Sequence, residues 1–130
     1  MSTSNIAAAD AGPLARDVML AGPKTFPPTT TVAEARAVFE SPRQKLLLVC
    51  DGDRYVGAIR RDGLGDADDA ATIDALVDPA VPILGPEDSN AAVPAIVERT
   101  DLSRIPVVDA SGDLLGLVCF NPRSDTYCVA

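Results

Sequence analysis

The sequence predicts a mixed α+β fold made of two copies of one small helix–strand–helix–strand–strand unit. Three observations predict it. "KLLLVCDGDRYVGAI" (Lys45 to Ile59) and "RIPVVDASGDLLGLV" (Arg104 to Val118) share one pattern: an apolar run, a polar turn, a shorter apolar run and a glycine. Gly57 and Gly116 stand 59 residues apart, and the pairs Leu48–Val49/Val107–Val108 and Val56/Leu115 share that offset. Upstream the offset is 58, linking Pro28 to Pro86, Thr31 to Ser89 and Ala33 to Ala91, so one residue is inserted between helix and strand. The repeat covers roughly 14–63 and 72–121. Division at the acidic stretch between the copies gives a mobile tail over 1–13, a first repeat over 14–66, a second over 67–121 and a C-terminal tail over 122–130.

Each copy opens with a short helix, "ARDVM" (Ala15 to Met19) or "IDALV" (Ile73 to Val77). Extended segments follow, "PKTFPP" and "PAVPILGP", where proline disfavours helix. The next helix of copy one begins with a capping box. Thr31 accepts from the Glu34 backbone N–H and the Glu34 carboxylate answers. Val32, Ala35, Val38 and Phe39 then fall on one face. In copy two Ser89 is the cap, and Pro94 predicts a late start or a bend.

Strands are expected over Leu46–Cys50 and Ile105–Asp109, then turns "DGDR" and "ASGD" with glycine at the tight position, then strands over Tyr55–Ile59 and Leu114–Cys119. The strands are continuous apolar runs, which fits sheets covered on both faces. Neither copy can bury its sheet alone, so the two copies must pair.

Composition sets the limits. At 130 residues the chain makes one compact domain or two paired halves, and 47% hydrophobic residues suffice for a core. With 4% aromatics and no Trp, that core is Val, Leu, Ile and Ala. A net charge of −8 keeps the protein soluble and argues against nucleic acid and anionic membranes as partners. It leaves room for a small anionic ligand at a local cluster of arginines.

The three cysteines, Cys50, Cys119 and Cys128, match no metal motif. Cys50 and Cys119 sit in strand runs, where Cys packs as a small hydrophobe. The expectation is a reducing, cytoplasmic setting. The N-terminus lacks the basic start and apolar run of a signal peptide. Histidine is absent, which removes the commonest general base and metal ligand. Asp66, Asp68 and Asp69 lack the spacing of an EF-hand and read as a solvated linker. The expectation is not an enzyme, with no metal and no required cofactor.

The order "ARDVM", "PPTTTVAEARAVF" and "RIPVVDASGDLLGLV", written twice in outline, resembles a tandem pair of CBS domains, the Bateman module, here as a stand-alone protein. The resemblance covers about 14–121. It implies two β-α-β-β-type repeats packed sheet to sheet about a pseudo-twofold axis. It implies clefts that take adenosine compounds (AMP, ADP, ATP or S-adenosylmethionine), and homodimers of modules. It also implies a regulatory role exerted in trans on a separate partner, since no catalytic or transport domain is attached.

The resemblance also nominates residues. The family places a hydroxyl three residues after the glycine and a carboxylate three further on, to hold ribose or phosphate. Copy one has Arg60 and Gly63 at those positions, with Asp62 one residue early. Copy two has Cys119 and Pro122, with Asn121 one early. Both signatures are altered, and copy two lacks the sequence for a closing helix. The "NPRSDTYCVA" tail either pairs as an edge strand or is loose.

The ligand-binding candidates in the strands and turns are Lys45, Leu46, Arg60, Asp62, Arg104, Ile105, Pro106, Cys119 and Asn121, with Arg61 near the same end. Thr25, Phe26, Val81 and Ile83 occupy the extended segments that line the base pocket in the family. The competing expectation is a ligand-free dimerisation or protein-interaction module that has kept the fold and lost its ligand.

Overall fold

The computed structural model describes residues 14–42, 44–121, 123, 126 and 127. The expected N-terminal tail over 1–13 lies outside the described residues, as do Pro122 and Cys128. The elements in chain order are α1 (Ala15–Val18), β1 (Leu20–Ala21), β2 (Thr25–Phe26), α2 (Val32–Val38), β3 (Leu46–Asp51) and β4 (Arg54–Arg60). They continue with α3 (Val93–Thr100), β5 (Arg104–Val108), β6 (Leu114–Asn121) and β7 (Thr126–Tyr127). Single 3-10 turns cover Arg61–Leu64, Ile73–Leu76 and Asn90–Ala92. Helix and strand are mixed as expected, in two sheets: β2-β3-β4, and β1-β6-β5 with β7 also on β6.

The chain divides into two compact units, and their boundaries cut across the sequence repeats. One unit is Lys24–Val81 with Gly112–Leu114. The other is the described part of Met1–Pro23, Pro82–Ser111 and Leu115–Ala130. The leading segment of copy one thus belongs with the strands of copy two, and the leading segment of copy two with the strands of copy one.

In the first unit β2 runs parallel to β3, with Thr25 opposite Leu48 and Phe26 opposite Val49. β3 and β4 form an antiparallel hairpin that pairs Leu46 with Arg60 and Leu48 with Ala58. The register shifts between Val49 and Cys50, a bulge that skips Val56 and leaves it 39% exposed. All five residues of Leu46–Cys50 are buried, so both faces of the strand are covered. One face meets α2 through a core of Val32, Ala35, Phe39, Leu47, Val49, Ile59, Leu64 and Ile73. Each fully buried aliphatic side chain there contributes about 1.5–3 kcal/mol.

The capping box that starts α2 forms as expected. Glu34 N donates to Thr31 Oγ1 at 3.2 Å, and Thr31 N donates to Glu34 Oε1 at 3.0 Å. These hydrogen bonds to Thr31, backbone first, lower the Glu34 pKa from the ordinary carboxylate value. The acidic linker is less free than its composition indicates. Arg36 Nε donates to Asp69 Oδ1 at 3.0 Å, and its Nη2 donates to the carbonyls of Gly65 (3.1 Å) and Ala67 (2.8 Å). Val32 N donates to Ala71 O and Ile73 N to Thr30 O, so the linker closes over the start of α2. The turn of copy two joins this unit as well: Tyr55 N donates to Gly112 O and Leu114 N to Asp53 O.

In the second unit α1 is anchored by Ala15 N to Asp88 O (2.8 Å) and by the Asn90 side-chain amide to Leu14 O (3.2 Å). β1 pairs antiparallel with β6, Leu20 opposite Leu117 and Ala21 opposite Gly116. Leu84 bridges Val107 in parallel. The core gathers Ala15, Leu84, Val93, Val97, Ile105, Val107, Val118 and Phe120. Helix α3 begins late, as Pro94 requires. Ser89 caps a 3-10 turn over Asn90–Ala92, and the α-helix proper starts at Val93 with the proline in its first turn. Among the described residues no helix follows β6; β7 pairs with it instead, Phe120 opposite Tyr127 and Asn121 opposite Thr126.

Two glycines permit this mixing of copies. A Cβ at Gly116 would sit 2.7 Å from Leu20 O, and a Cβ at Gly57 would sit 2.8 Å from Val77 Cβ. Each glycine lies where the other copy's leading segment crosses the strand. We expect Gly116→Ala and Gly57→Ala each to destabilise by about 1–3 kcal/mol in urea unfolding. The two should differ on rescue. Val77→Ala should recover part of the Gly57→Ala loss, because the obstacle is a side chain. Met19→Ala should recover less of the Gly116→Ala loss, because the nearest obstacle there is the Leu20 carbonyl at 2.7 Å, with Met19 Sδ behind it at 3.0 Å. At the α2 cap, Thr31→Ala should cost about 1 kcal/mol. Because the folded-state pKa of Glu34 is depressed, its contribution is complete above the ordinary carboxylate pKa and fades as pH falls through the lowered value. Glu34→Gln should therefore flatten stability against pH in that acid window, as read by thermal unfolding from pH 3 to 7.

Candidate functional site

The antiparallel register decides which candidates meet. Leu46 and Arg60 are opposite one another at the open end of the β3–β4 hairpin, away from its turn. Lys45 precedes Leu46, and the Arg61–Leu64 3-10 turn that carries Asp62 follows Arg60. The ends are tied by Arg61 N donating to Lys45 O at 3.3 Å. Four candidates of copy one, Lys45, Leu46, Arg60 and Asp62, thus converge on one sheet end. Thr25 stands beside the same strand, two residues further along β3, and Phe26 follows it. Lys45, Asp62 and Thr25 are exposed, Arg60 and Phe26 half-buried, and Leu46 buried. Leu46 offers its backbone more than its side chain.

The open end of β5–β6 repeats this arrangement in the second unit. Phe120 N donates to Ser103 O at 2.8 Å, which sets the end of β6 beside the start of β5. Arg104, Ile105, Cys119 and Asn121 therefore share one end, with Arg104 and Asn121 exposed and Ile105 and Pro106 buried. Pro106 O accepts from Leu84 N, which holds the extended segment against β5 and leaves Ile83 50% exposed next to it. Val81 and Ile83 are not brought together. Val81 is buried in the first unit and Ile83 is exposed in the second, because the boundary between units falls between them.

Several candidates are committed to structure. Asn121 Oδ1 accepts from Arg123 N at 3.0 Å, a local turn that occupies the oxygen expected to replace a carboxylate. Cys119 is buried and disulfide-bonded, so it has no S–H to offer at the hydroxyl position. This departs from the expectation that Cys119 packs simply as a small hydrophobe. Cys50 is the free buried cysteine, and burial, then the nearby Asp53 charge, pushes its pKa up, which leaves it unreactive. Burial likewise pushes the Tyr55 hydroxyl well above its ordinary value.

Arg61 is the residue whose role the sequence concealed. Its Nη1 donates to Phe39 O at 2.6 Å, and its Nη2 donates to Ser41 O and to Gln44 O (2.9 Å). The guanidinium also lies 5.8 Å from the Phe39 ring centroid. A single arginine thus closes the loop after α2 onto the open end of the hairpin. Lys24 sits 5.4 Å from the Phe26 ring on the neighbouring strand. Among the described residues no group of three or more His, Cys, Asp or Glu could hold a metal ion, and no helix is long and apolar enough to cross a membrane.

The two units present one architecture twice: a strand–helix–strand–strand layer with its polar groups at the open hairpin end. A family model described as "CBS domain" matches residues 15–64 and 73–120. The chain therefore belongs to the CBS-domain family, as a tandem pair. Similar solved structures agree on the fold. The cystathionine β-synthase pair domain of a putative Mg2+ transporter from Shewanella oneidensis is 20% identical with a TM-score of 0.70, over 95% of this chain and 82% of that one. CBSX2 in complex with AMP is 20% identical with a TM-score of 0.69, over 83% and 90%. The cytosolic domain of the Mg2+ channel MgtE in complex with ATP is 22% identical with a TM-score of 0.70, over 87% of this chain and 48% of that one. Among curated proteins, none matches the chain.

Arg61 should therefore behave as a structural residue and Lys45 as a surface one. Arg61→Met should lower stability by about 1–3 kcal/mol through loss of its charge-assisted bonds. Lys45→Met should stay within about 0.5 kcal/mol of the parent. Urea unfolding monitored by circular dichroism distinguishes the two.

Proposed function

We propose that this tandem CBS pair is a ligand-sensing regulatory module. It binds an adenosine-type nucleotide at the open hairpin ends and acts in trans on a separate partner, as a homodimer in the cytoplasm. The observation that carries this reading is the convergence of Lys45, Arg60 and Asp62 on one sheet end, repeated by Arg104 and Asn121 on the other. The arginines and the lysine supply donors for phosphate. The extended segments at Thr25–Phe26 and Ile83 supply backbone groups and an apolar surface for a base. The solved relatives with bound AMP and ATP support the ligand class. The role is regulatory and not catalytic: no histidine is present in the chain to serve as a general base.

A second reading is a protein-interaction module that has kept the fold without a ligand. It is favoured by Arg60 and Gly63 standing at the family's hydroxyl and carboxylate positions, and by the disulfide at Cys119.

Thermal unfolding with AMP, ADP, ATP, NAD and S-adenosylmethionine at millimolar concentration decides between the two. A ligand at a hundred times its Kd adds about 2.7 kcal/mol, which raises the midpoint of a domain this size by roughly 5–15 °C. A shift with an adenosine compound is the expected result. No shift with any of them makes the interaction module the correct reading.

A further inference from the structure

We propose that Cys119 and Cys128 form a reversible disulfide that clasps β7 to β6, closing the edge of β6 under oxidising conditions and releasing it when a dithiol reduces the bond. This goes beyond nucleotide sensing and does not depend on it.

The pairing follows from the cysteines and the register together. Cys119 is disulfide-bonded, and Cys50 is free, buried and part of the other unit. The chain has three cysteines, so Cys128 is the partner that remains within it. β7 pairs antiparallel with β6, Phe120 opposite Tyr127 and Asn121 opposite Thr126. The same register carried one step further sets position 119 against position 128. Opposed residues of an antiparallel pair have Cα atoms about 4.5–5.5 Å apart, inside the range that a disulfide spans.

The bond controls β7 because the strand has little else to hold it. It meets β6 through two residue pairs, and so short a ladder is marginal in water without a tie. The disulfide closes a loop of ten residues, 119 to 128, and so keeps the two strands from separating. Phe120 N donates to Ser103 O, so the backbone groups of Phe120 face β5 and those of Asn121 face the opposite side, toward β7. Release of β7 therefore uncovers the N–H and C=O of Asn121 at the end of β6. The described core of this unit comes from α1, α3, β5, β6 and Leu84, and stays in place when β7 leaves.

The chemistry is thiol–disulfide exchange. Cys119 is 7% exposed, so the thiolate of the dithiol attacks the Cys128 sulfur, and the Cys119 thiolate leaves and takes up a proton. The second thiolate of the dithiol then attacks the mixed disulfide and frees Cys128. The dithiol supplies the electron pair and ends as a cyclic disulfide, while the protein gains two thiols. A small disulfide reverses the sequence and reforms the bond. In the cytoplasmic setting proposed above, a disulfide is transient and reports the redox state.

The test uses the full chain, oxidised with a small disulfide or reduced with dithiothreitol. Arg123 is the one Lys or Arg between Cys119 and Cys128, so trypsin separates 105–123 from 124–130. In the unreduced digest these two peptides should appear as one linked mass, with 46–54, which carries Cys50, unlinked. Hydrogen exchange of the folded protein should show the amides of 120–127 exchanging about 10- to 100-fold faster after reduction, the scale of the loop-closure entropy that a crosslink removes. Amides of 46–51 and 104–108 should not change, and reoxidation should restore protection. Cys128→Ser should exchange fast with or without dithiothreitol.

A link from 46–54 to either peptide overturns the pairing, and so does the absence of any link after oxidation. Exchange over 120–127 that is the same in both states overturns the clasp. If dithiothreitol opens the bond only in denaturant, or if reduction also strips protection from 104–108, the disulfide is a structural staple and the switch is overturned. The nucleotide-sensing reading survives each of these results.

Discussion

Two close approaches of backbone to glycine hold this fold together. At Gly116 the carbonyl of Leu20 occupies the place a side chain would need, and at Gly57 the side chain of Val77 does so. A Cβ at 2.7–2.8 Å from these atoms is not tolerated without movement, so any other residue would lift the crossing segment off the strand. Once the segments can cross, α1 and β1 add to the sheet of copy two, and the Ile73–Leu76 turn fills the core of copy one. Each compact unit is then a composite of both repeats, and neither repeat has a complete core of its own. The pairing that the continuous apolar strands demand is achieved by trading leading segments.

The same trade positions the polar ends. Asp78 N donates to Ala58 O beside Gly57, so the incoming segment is hydrogen-bonded to β4 two residues from Arg60. At the other end of the chain, β7 pairs with β6 where a closing helix is expected in the family. The reason is local. Asn121 turns the chain through its bond to Arg123 N, and the residues beyond it favour extended backbone. The first open end is closed by Arg61 bound to three loop carbonyls, the second by a short antiparallel strand. The same geometric problem thus has a different solution in each unit.

Membership of the CBS family fixes the architecture. It does not fix a ligand, and at the positions where the family resemblance implies a hydroxyl and a carboxylate this sequence carries other residues. Arg60 stands for a hydroxyl, Gly63 for a carboxylate, and the Cys119 sulfur is engaged in a disulfide. Of the four replaced positions only Arg60 brings a cation; Gly63, Cys119 and Pro122 bring no charge.

By itself the sequence determined every element that rests on local interactions. The Thr31–Glu34 capping box, the apolar face of α2, the late start of α3 forced by Pro94 and the glycine turns all depend on residues within four positions of one another. The repeat offset disclosed the two hairpins, and the family resemblance nominated Lys45, Leu46, Arg60 and Asp62; the register that sets them at one sheet end is a finding of the structure. Tertiary structure alone decided the composition of the units. The crossing segments contact partners that range from 20 residues away (Val77 at Gly57) to 97 (Leu20 opposite Leu117), and periodicity carries no sign of which copy a short segment will cover. For the same reason the sequence does not disclose that Arg61 and Arg36 bind backbone carbonyls, since a carbonyl leaves no trace in the identity of the residue that carries it.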